Sequence, residues 1–280
     1  IGAERKMRME KNLHQKEISV KIRKDEPIEV CGLTLYPLTM EHYEEFMNMK
    51  NVLSIRLSAL PVQYMAYDYL NAIFKMDTDH ASSGKDTHMT LLSTVLYLFE
   101  LALRIAPEQM EKSVNVSLTK DHLIDQIIVM QNGKRVCLKS NEFSKKIRPV
   151  MARQNCVELP DESANRDLIE AGIQKREFYA QNEPDIVFDV EKMVSSVAYL
   201  SHVREKEIYQ WTIREFENRK QAIDRDKRYT IYAQAEMSGF VKFKKGNPFP
   251  SWCFDKKQNQ IGAMSMQEVQ KKFGNVKQKT

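Results

Sequence analysis

The sequence predicts a mainly α-helical protein with two small β elements, a β-hairpin and a short C-terminal strand. Over most of the 280 residues, apolar side chains recur at spacings of three and four, which is the pattern of helices that bury one face. Asn132 and Gly133 separate two strand-like runs, and they predict a two-stranded hairpin with a type I′ turn. Phe240 to Phe243 alternates like an edge strand.

The first third of the chain reads as a short β segment followed by helices. Residues 27–37 carry two short alternating runs and predict a small hairpin or bent strand. A helix is expected to begin at Thr39, whose hydroxyl is suited to an N-cap. A second helix is expected to begin at Pro61. Asp77 to Thr87 is polar and predicts a loop.

The most apolar stretch, Thr87 to Ala106, has about the length of a membrane span. However, Ser93, Tyr97, Glu100 and Arg104 share one polar stripe of the helix. Glu100 and Arg104 are four residues apart, a spacing that allows an ion pair in water. We therefore interpret this stretch as the central core helix of a soluble domain and expect no membrane association.

The second half is expected to be helical after the Asn132-Gly133 hairpin. Ser140 is suited to cap a helix in which Pro149 predicts a kink or a break at Arg148. Further helices are predicted over residues 165–182, 190–203 and 207–237, and Ser238-Gly239 is expected to end the last of them.

Charge and composition suggest how the chain is divided. Residues 1–24 carry eight Lys or Arg against three Asp or Glu, and residues 242–280 carry nine against two, although the net charge is only +5. The ends are therefore basic and the body is acidic. We expect four segments: a basic N-terminal arm (1–24), an N-terminal helical domain with a short hairpin (25–110), a hairpin plus C-terminal helical domain (111–255) and a flexible basic tail (256–280).

The four cysteines form no C-x-x-C pair, so no zinc knuckle or thioredoxin-like motif is available, and we expect reduced cysteines in a cytosol.

The residue pattern most suggestive of a metal site is the Asp77 to His88 loop, which contains Asp77, Asp79, His80, Asp86 and His88. It lacks the turn glycine and closing glutamate of an EF-hand, and Ser83-Gly84-Lys85 is not a P-loop. A solvated loop is the favoured reading, so the sequence predicts no metal, no cofactor and no enzymatic activity.

Aromatic residues near the C-terminus are the candidate binding residues. Lys242, Lys244 and Lys245 alternate with Phe243, Phe249 and Trp252, a mixture that suits either nucleic acid or a docking arm for another protein. A third interpretation is that these aromatic side chains pack against the helices. The candidate partner-binding residues are Phe240, Phe243, Phe249, Trp252, Trp211 and Phe216.

Four segments together resemble one family: Leu33 to Phe46, Asn141 to Arg148 with residues 153–155, Thr212 to Phe216, and Ala235 to Lys244 with Trp252. Over roughly residues 25–255 the chain resembles the tail assembly chaperones of bacteriophages and prophages of Gram-positive bacteria. The shared pattern is a series of apolar anchors.

The resemblance implies a non-enzymatic protein of the bacterial host cytoplasm. Such a protein binds the long tape measure protein, or another tail protein, before the tail tube polymerises around it. Fifteen methionines would supply adaptable apolar contacts for a helical client or for self-association. The alternative expectation is a nucleic-acid-binding phage regulatory protein that uses its basic termini.

Overall fold

The computed structural model describes residues 15–82, 90–163, 188–243 and 246–254, with residues 171, 172, 174, 175 and 178. Within this part the chain is mostly helical and has two small antiparallel sheets. It divides into two units. The first comprises residues 1–162 and 190–220, and the second comprises residues 163–189 and 221–280.

The described helices begin and end as follows: α1 (residues 15–23), α2 (Tyr43–Met49), α3 (Val62–Met65), α4 (Tyr69–Ser82), α5 (Leu91–Ala102), α6 (Met110–Ser113), α7 (residues 140–154), α8 (Val190–Ser201), α9 (Glu205–Ile208) and α10 (Ile213–Met237). Short 3₁₀ turns occupy Met40–His42, Lys50–Ser54, Leu57–Ala59 and Pro107–Gln109. Thr39 precedes the first of these turns, but its side chain makes no capping hydrogen bond.

The helix predicted from Pro61 is divided, and its second part is longer than expected. Val62–Met65 forms one turn, and Asp68 then accepts hydrogen bonds from the backbone and side chain of Asn71 at the start of α4. The aspartate acts as a cap between two apolar runs, and so it interrupts the helix. Conversely, α4 continues to Ser82, so the loop predicted from Asp77 begins as helix; residues 83–89 lie outside the described part.

The first sheet is the hairpin of β1 (Ile28–Val30) and β2 (Leu33–Leu35), with Val30 opposite Leu33. The second sheet contains β3 (Val114–Leu118), β4 (Ile124–Gln131) and β5 (Lys134–Lys139) in that order. Asn132 and Gly133 join β4 to β5, both at positive φ, as a type I′ turn requires. The two-stranded ribbon that the sequence predicts is therefore extended by β3, which pairs with β4.

The short strand predicted at Phe240 to Phe243 is not formed, since these residues have irregular backbone. The two phenylalanines of this run lie in different environments. The Phe243 ring lies against Tyr232 of α10, whereas Phe240 and Lys242 are exposed.

The first unit has its core around α5, where Val95, Leu98 and Phe99 are fully buried. Residues on both sides of residue 110 contribute to this core, since the Phe99 ring of α5 meets the Phe143 ring of α7 edge-on, with the centroids 5.1 Å apart. The division into four segments stays a prediction. Asn71 of α4 accepts a hydrogen bond from the Ile124 amide (2.7 Å) and donates to the Ile124 carbonyl (3.2 Å). Its amide thus joins the helix to β4 in the way a neighbouring strand would.

Of the kink or break predicted at Arg148, the break does not occur: helix α7 continues past Pro149, with a change of helix type at Arg148. It runs through Ser140–Glu142, a π-helical turn at Phe143–Ile147, and Arg148–Gln154. The Arg148 amide bonds to the Phe143 carbonyl, five residues back, and Pro149 occupies the first turn of the following α-helical stretch. A proline is tolerated there because its missing N–H has no obligatory partner.

Arg148 is only 7% exposed, and burial lowers the pKa of its guanidinium. Its Nε and Nη2 donate to the carbonyls of Leu53 and Ile55, both at 2.8 Å. The guanidinium lies over the Tyr69 ring, 3.9 Å from the centroid, and the Tyr69 hydroxyl donates to the Val52 carbonyl. One side chain therefore connects α7, α4 and the turn at Lys50–Ser54.

Four helices of the first unit end in the same motif, in which a residue with positive φ follows the last turn and the next amide bonds to the carbonyl five residues back. The four positions hold Asp25, Arg104, Cys156 and His202. The closing hydrogen bonds run from the amides of residues 26, 105, 157 and 203 to the carbonyls of residues 21, 100, 152 and 198. None of the four positions is a glycine.

Arg104 and Glu100 do not form the predicted ion pair. Since Arg104 adopts the left-handed conformation (φ 55°), its side chain turns away from α5 and stacks over the Tyr36 ring, 4.4 Å from the centroid. Glu100 remains half-buried and makes no salt bridge with any residue that the structure describes, and burial raises its pKa to about 7.

Replacing Arg148 by methionine should strongly destabilise the first unit. Arg148→Met removes the donors of the buried Leu53 carbonyl and the half-buried Ile55 carbonyl, which should lower the free energy of unfolding by about 3 kcal/mol. Urea denaturation measures the loss. Arg153→Met, at an exposed arginine on the same helix, is the control and should cost less than about 1 kcal/mol. Equal losses in the two variants would show that Arg148 has no special role.

Glu100 should make stability depend on pH near neutrality. Because its folded pKa of about 7 lies above the ordinary value of 4.5, its contribution is fully present below pH 4.5 and is lost as pH rises through about 7. Glu100→Gln should therefore be more stable than the parent at pH 8, by about 1 kcal/mol after allowance for solvent screening.

The two proteins should converge as pH falls towards 5, and urea denaturation at several pH values tests this. An exposed glutamate variant, Glu44→Gln, is the control. A Glu100→Gln effect that is constant with pH would contradict the assignment.

Candidate partner-binding surface

Two of the six candidate binding residues, Phe216 and Trp211, belong to the structure of the first unit. Phe216 is fully buried and meets the Tyr43 ring edge-on, with the centroids 5.7 Å apart. Trp211 is half-buried beneath the Arg219 guanidinium, and its carbonyl accepts a hydrogen bond from the Met40 amide. Phe216 is thus inaccessible to a partner, and the Trp211 backbone holds the chain after β2.

The other four candidates lie in the second unit, on residues 238–243 and 246–254, which together we call the fold-back segment. This segment runs back along α10 in the antiparallel direction. From Asn247 onward its contacts with the helix follow that order: Asn247 donates to Glu236, Phe249 lies against Tyr232 and beneath Arg228, and the Cys253 carbonyl accepts from Arg225. Phe243, earlier in the segment, also lies against Tyr232.

Two rings anchor the segment. The Phe249 and Tyr232 centroids are 4.8 Å apart, and the Phe243 and Tyr232 centroids are 5.5 Å apart. Arg228, whose guanidinium is 5.4 Å from the Phe249 centroid, also pairs with Asp224 at 3.0 Å. Stacked rings and a cation over a ring are each worth roughly 0.5–1.5 kcal/mol. Phe243 and Phe249 therefore serve to hold the segment on the helix.

Side-chain turns fix the path of the segment between its anchors. The Phe249 amide donates to Asn247 Oδ1 at 2.8 Å across Pro248. Ser251 Oγ accepts from the amides of Cys253 and Phe254, both at 3.1 Å. These local bonds take the place of a strand ladder, which the prolines at positions 248 and 250 would interrupt.

The remaining aromatic side chains of the segment face solvent. Phe240 is 93% exposed, Trp252 61% and Phe254 75%. Six of the fourteen large apolar side chains that are exposed in the described part of the chain lie within residues 231–254. We call these six the apolar set: Ile231, Met237, Phe240, Val241, Trp252 and Phe254. Such a concentration of exposed apolar side chains is typical of protein-binding regions.

Sequence reasoning named Phe240 and Trp252 but missed Ile231, Met237 and Phe254. Phe254 lies two residues after Trp252, and its aromatic ring was a usable signal. In the sequence, Ile231 and Met237 look like ordinary members of the apolar face of a helix. A single sequence does not show which apolar face lacks a packing partner.

The basic residues of this region are only partly described. Lys242 is exposed, whereas Lys244 and Lys245 lie outside the described residues. The two arginines nearest the anchoring rings, Arg225 and Arg228, are already engaged with the Cys253 carbonyl and with Asp224. Their positive charge is consequently less available to phosphate groups.

The carboxylates of the Asp77 to His88 region have structural partners. Asp77 accepts from the amides of Leu91 and Leu92, at 3.0 and 2.8 Å, and so caps the start of α5. Asp79 accepts from the Tyr64 hydroxyl at 2.7 Å. Asp86 and His88 lie outside the described residues. Within the described part, no three His, Cys, Asp or Glu residues are grouped as metal ligands.

Removing one anchoring ring should release the fold-back segment without unfolding the first unit. In Phe249→Ala, the contacts with Tyr232 and Arg228 are lost, so trypsin should cleave within residues 238–254 several-fold faster. Urea unfolding of the first unit should not change. Phe240→Ala, which removes an exposed ring, is the matched control and should leave the cleavage rate unchanged. Equal rates for the two variants would contradict the anchoring role.

Among the described residues, no helix combines the length and the apolar character that a membrane crossing needs. Comparisons with protein-family models, with curated proteins and with solved structures found no match.

Proposed function

We propose that the chain is a non-enzymatic, protein-binding factor of phage tail morphogenesis, a tail assembly chaperone that acts in the bacterial host cytoplasm. Its client is the tape measure protein, and the fold-back segment provides the binding surface. The observation that carries the proposal is the pairing of anchored and exposed aromatic rings in one short segment of the second unit.

The anchoring rings give the exposed rings a defined position before a client arrives. Phe243 and Phe249 are fixed on Tyr232, while Phe240 and Trp252 project from the same segment into solvent. Ordering a segment in advance lowers the entropic cost of binding, and large aromatic rings contribute most of the binding free energy at protein interfaces. Both properties suit capture of an apolar polypeptide.

The identity of the client follows from the family resemblance. Three of the four resembling segments supply buried side chains of the first unit, including Leu35, Phe46, Phe143 and Phe216. The fourth, Ala235 to Lys244 with Trp252, includes the exposed Phe240 and Trp252. The residues that carry the resemblance therefore lie both in the core of the first unit and in the proposed client-binding segment.

Methionine adds to the adaptability of the surface. Met237, at the end of α10, is 87% exposed. Its unbranched, polarisable side chain can pack against client residues of different shapes. A long apolar client presents many such shapes, so a tolerant surface is an advantage.

Removing the two exposed rings should weaken client binding. The double variant Phe240→Ala with Trp252→Ala should bind a co-expressed tape-measure fragment at least tenfold more weakly, because buried interface aromatics commonly contribute about 2 kcal/mol each. Co-elution in size-exclusion chromatography and a titration measure the effect.

Tyr199→Ala removes an equally exposed ring (79%) from the first unit and serves as the matched control. It should bind like the parent. Absence of a complex with the parent protein would refute the chaperone function. Salt-sensitive binding of DNA or RNA by the parent, with no binding of the tape-measure fragment, would favour the nucleic-acid alternative.

A further inference from the structure

A cleft of about 440 Å³ opens on the first unit, where the chain after β2 passes the C-terminal end of α5. This volume is within the range of small-ligand sites. One wall is apolar and is formed by Pro37, Leu101 and Ile105. Polar side chains, including Thr39 and Gln210, line the remainder.

Most polar groups of this cleft have no partner within the described part of the chain. The side chains of Thr39, Glu41 and Gln210 take part in no hydrogen bond or ion pair there. His42 uses only Nδ1, which lies 3.3 Å from Glu45 Oε2. Unused donors beside an apolar wall are the usual arrangement of a site that receives an amphipathic small molecule.

Arg104 is the strongest donor of the cleft, and its position is fixed. Its left-handed backbone directs the side chain to the cleft, and stacking on the Tyr36 ring covers one face of the guanidinium. The N–H edges remain unpaired within the described residues. A planar guanidinium held in this way is suited to a carboxylate, which it binds through two parallel hydrogen bonds.

Glu41 limits the charge of the ligand. It is exposed on the same cleft, and it would repel a dianion more strongly than a monoanion. Together with the apolar wall, this charge balance favours a monocarboxylate over a phosphate.

We propose that this cleft is a binding site for a small monocarboxylate with an apolar body. The carboxylate pairs with Arg104, and the apolar body lies against Pro37, Leu101 and Ile105. The site is in the first unit and is independent of the fold-back segment, so it adds a small-molecule site to the proposed function.

Octanoate is the probe, and ligand-observed NMR measures its dissociation constant with the full chain. Octanoate should bind the parent more tightly than 1-octanol, which is uncharged. It should also bind more tightly than octyl phosphate, whose negative charge is larger. Arg104→Gly should weaken octanoate binding about tenfold or more, because a charge-assisted pair is lost. Glu41→Gln should tighten it, because a like charge is removed.

The glycine variant separates binding from folding. Gly is favoured at a left-handed position, and this gain offsets the lost contact with Tyr36, so the thermal midpoint should change by no more than a few degrees. Arg104→Lys keeps the charge without the planar fork and should bind with intermediate affinity. The proposal is overturned if the parent does not bind octanoate, if 1-octanol binds equally well, or if Arg104→Gly retains the parent's affinity.

Discussion

The first unit depends on the buried positive charge of Arg148. Its direct contacts are the carbonyl dipoles of Leu53 and Ile55 and the face of Tyr69, and the exposed Glu162 adds an electrostatic attraction. This arrangement avoids a buried ion pair, in which desolvation often cancels the attraction. It also ties an irregular turn to two helices, because carbonyls at the end of a 3₁₀ turn would otherwise lack donors. The π turn before Arg148 belongs to the same design, since it lets one helix carry both Pro149 and this inward-facing cation.

The two units use aromatic side chains in different ways. In the first unit, rings such as Phe99, Phe143 and Phe216 are fully buried and meet one another or Tyr43 edge-on. In the second unit, only part of the aromatic area is covered, and the covered rings position the uncovered ones. A core of this kind contributes little to the free energy of unfolding, because few apolar groups are removed from water. Covering the exposed rings of Phe240 and Trp252 would remove further apolar area from water and would therefore stabilise the second unit.

Local chemistry made some of the fold predictable from sequence, and long-range contacts explain the rest. Asn132-Gly133 determines its own turn, and Ser238-Gly239 ends α10 as expected, because the backbone requirement is encoded in adjacent residues. The extent of α4, the capping of α5 by Asp77 and the burial of Phe216 depend on residues far apart in the chain, so no window of sequence reveals them. Helix ends were hard to predict for another reason: the left-handed position that follows a helix is commonly glycine, and after α5 it is Arg104. At the candidate surface, sequence reasoning found the aromatic segment but had no means of separating Phe243 and Phe249, which hold it, from Phe240 and Trp252, which it presents.

The four helix ends closed by Asp25, Arg104, Cys156 and His202 have a practical consequence. A side chain in the left-handed conformation costs about 1 kcal/mol relative to glycine, so the native chain is less stable than its own backbone would permit. His202 makes no hydrogen bond through its side chain within the described residues, so replacing it by glycine would break no such bond. A more heat-resistant version of the molecule is within reach by single substitutions at these helix ends. Such a version would be a better starting material for structural and binding experiments on this protein.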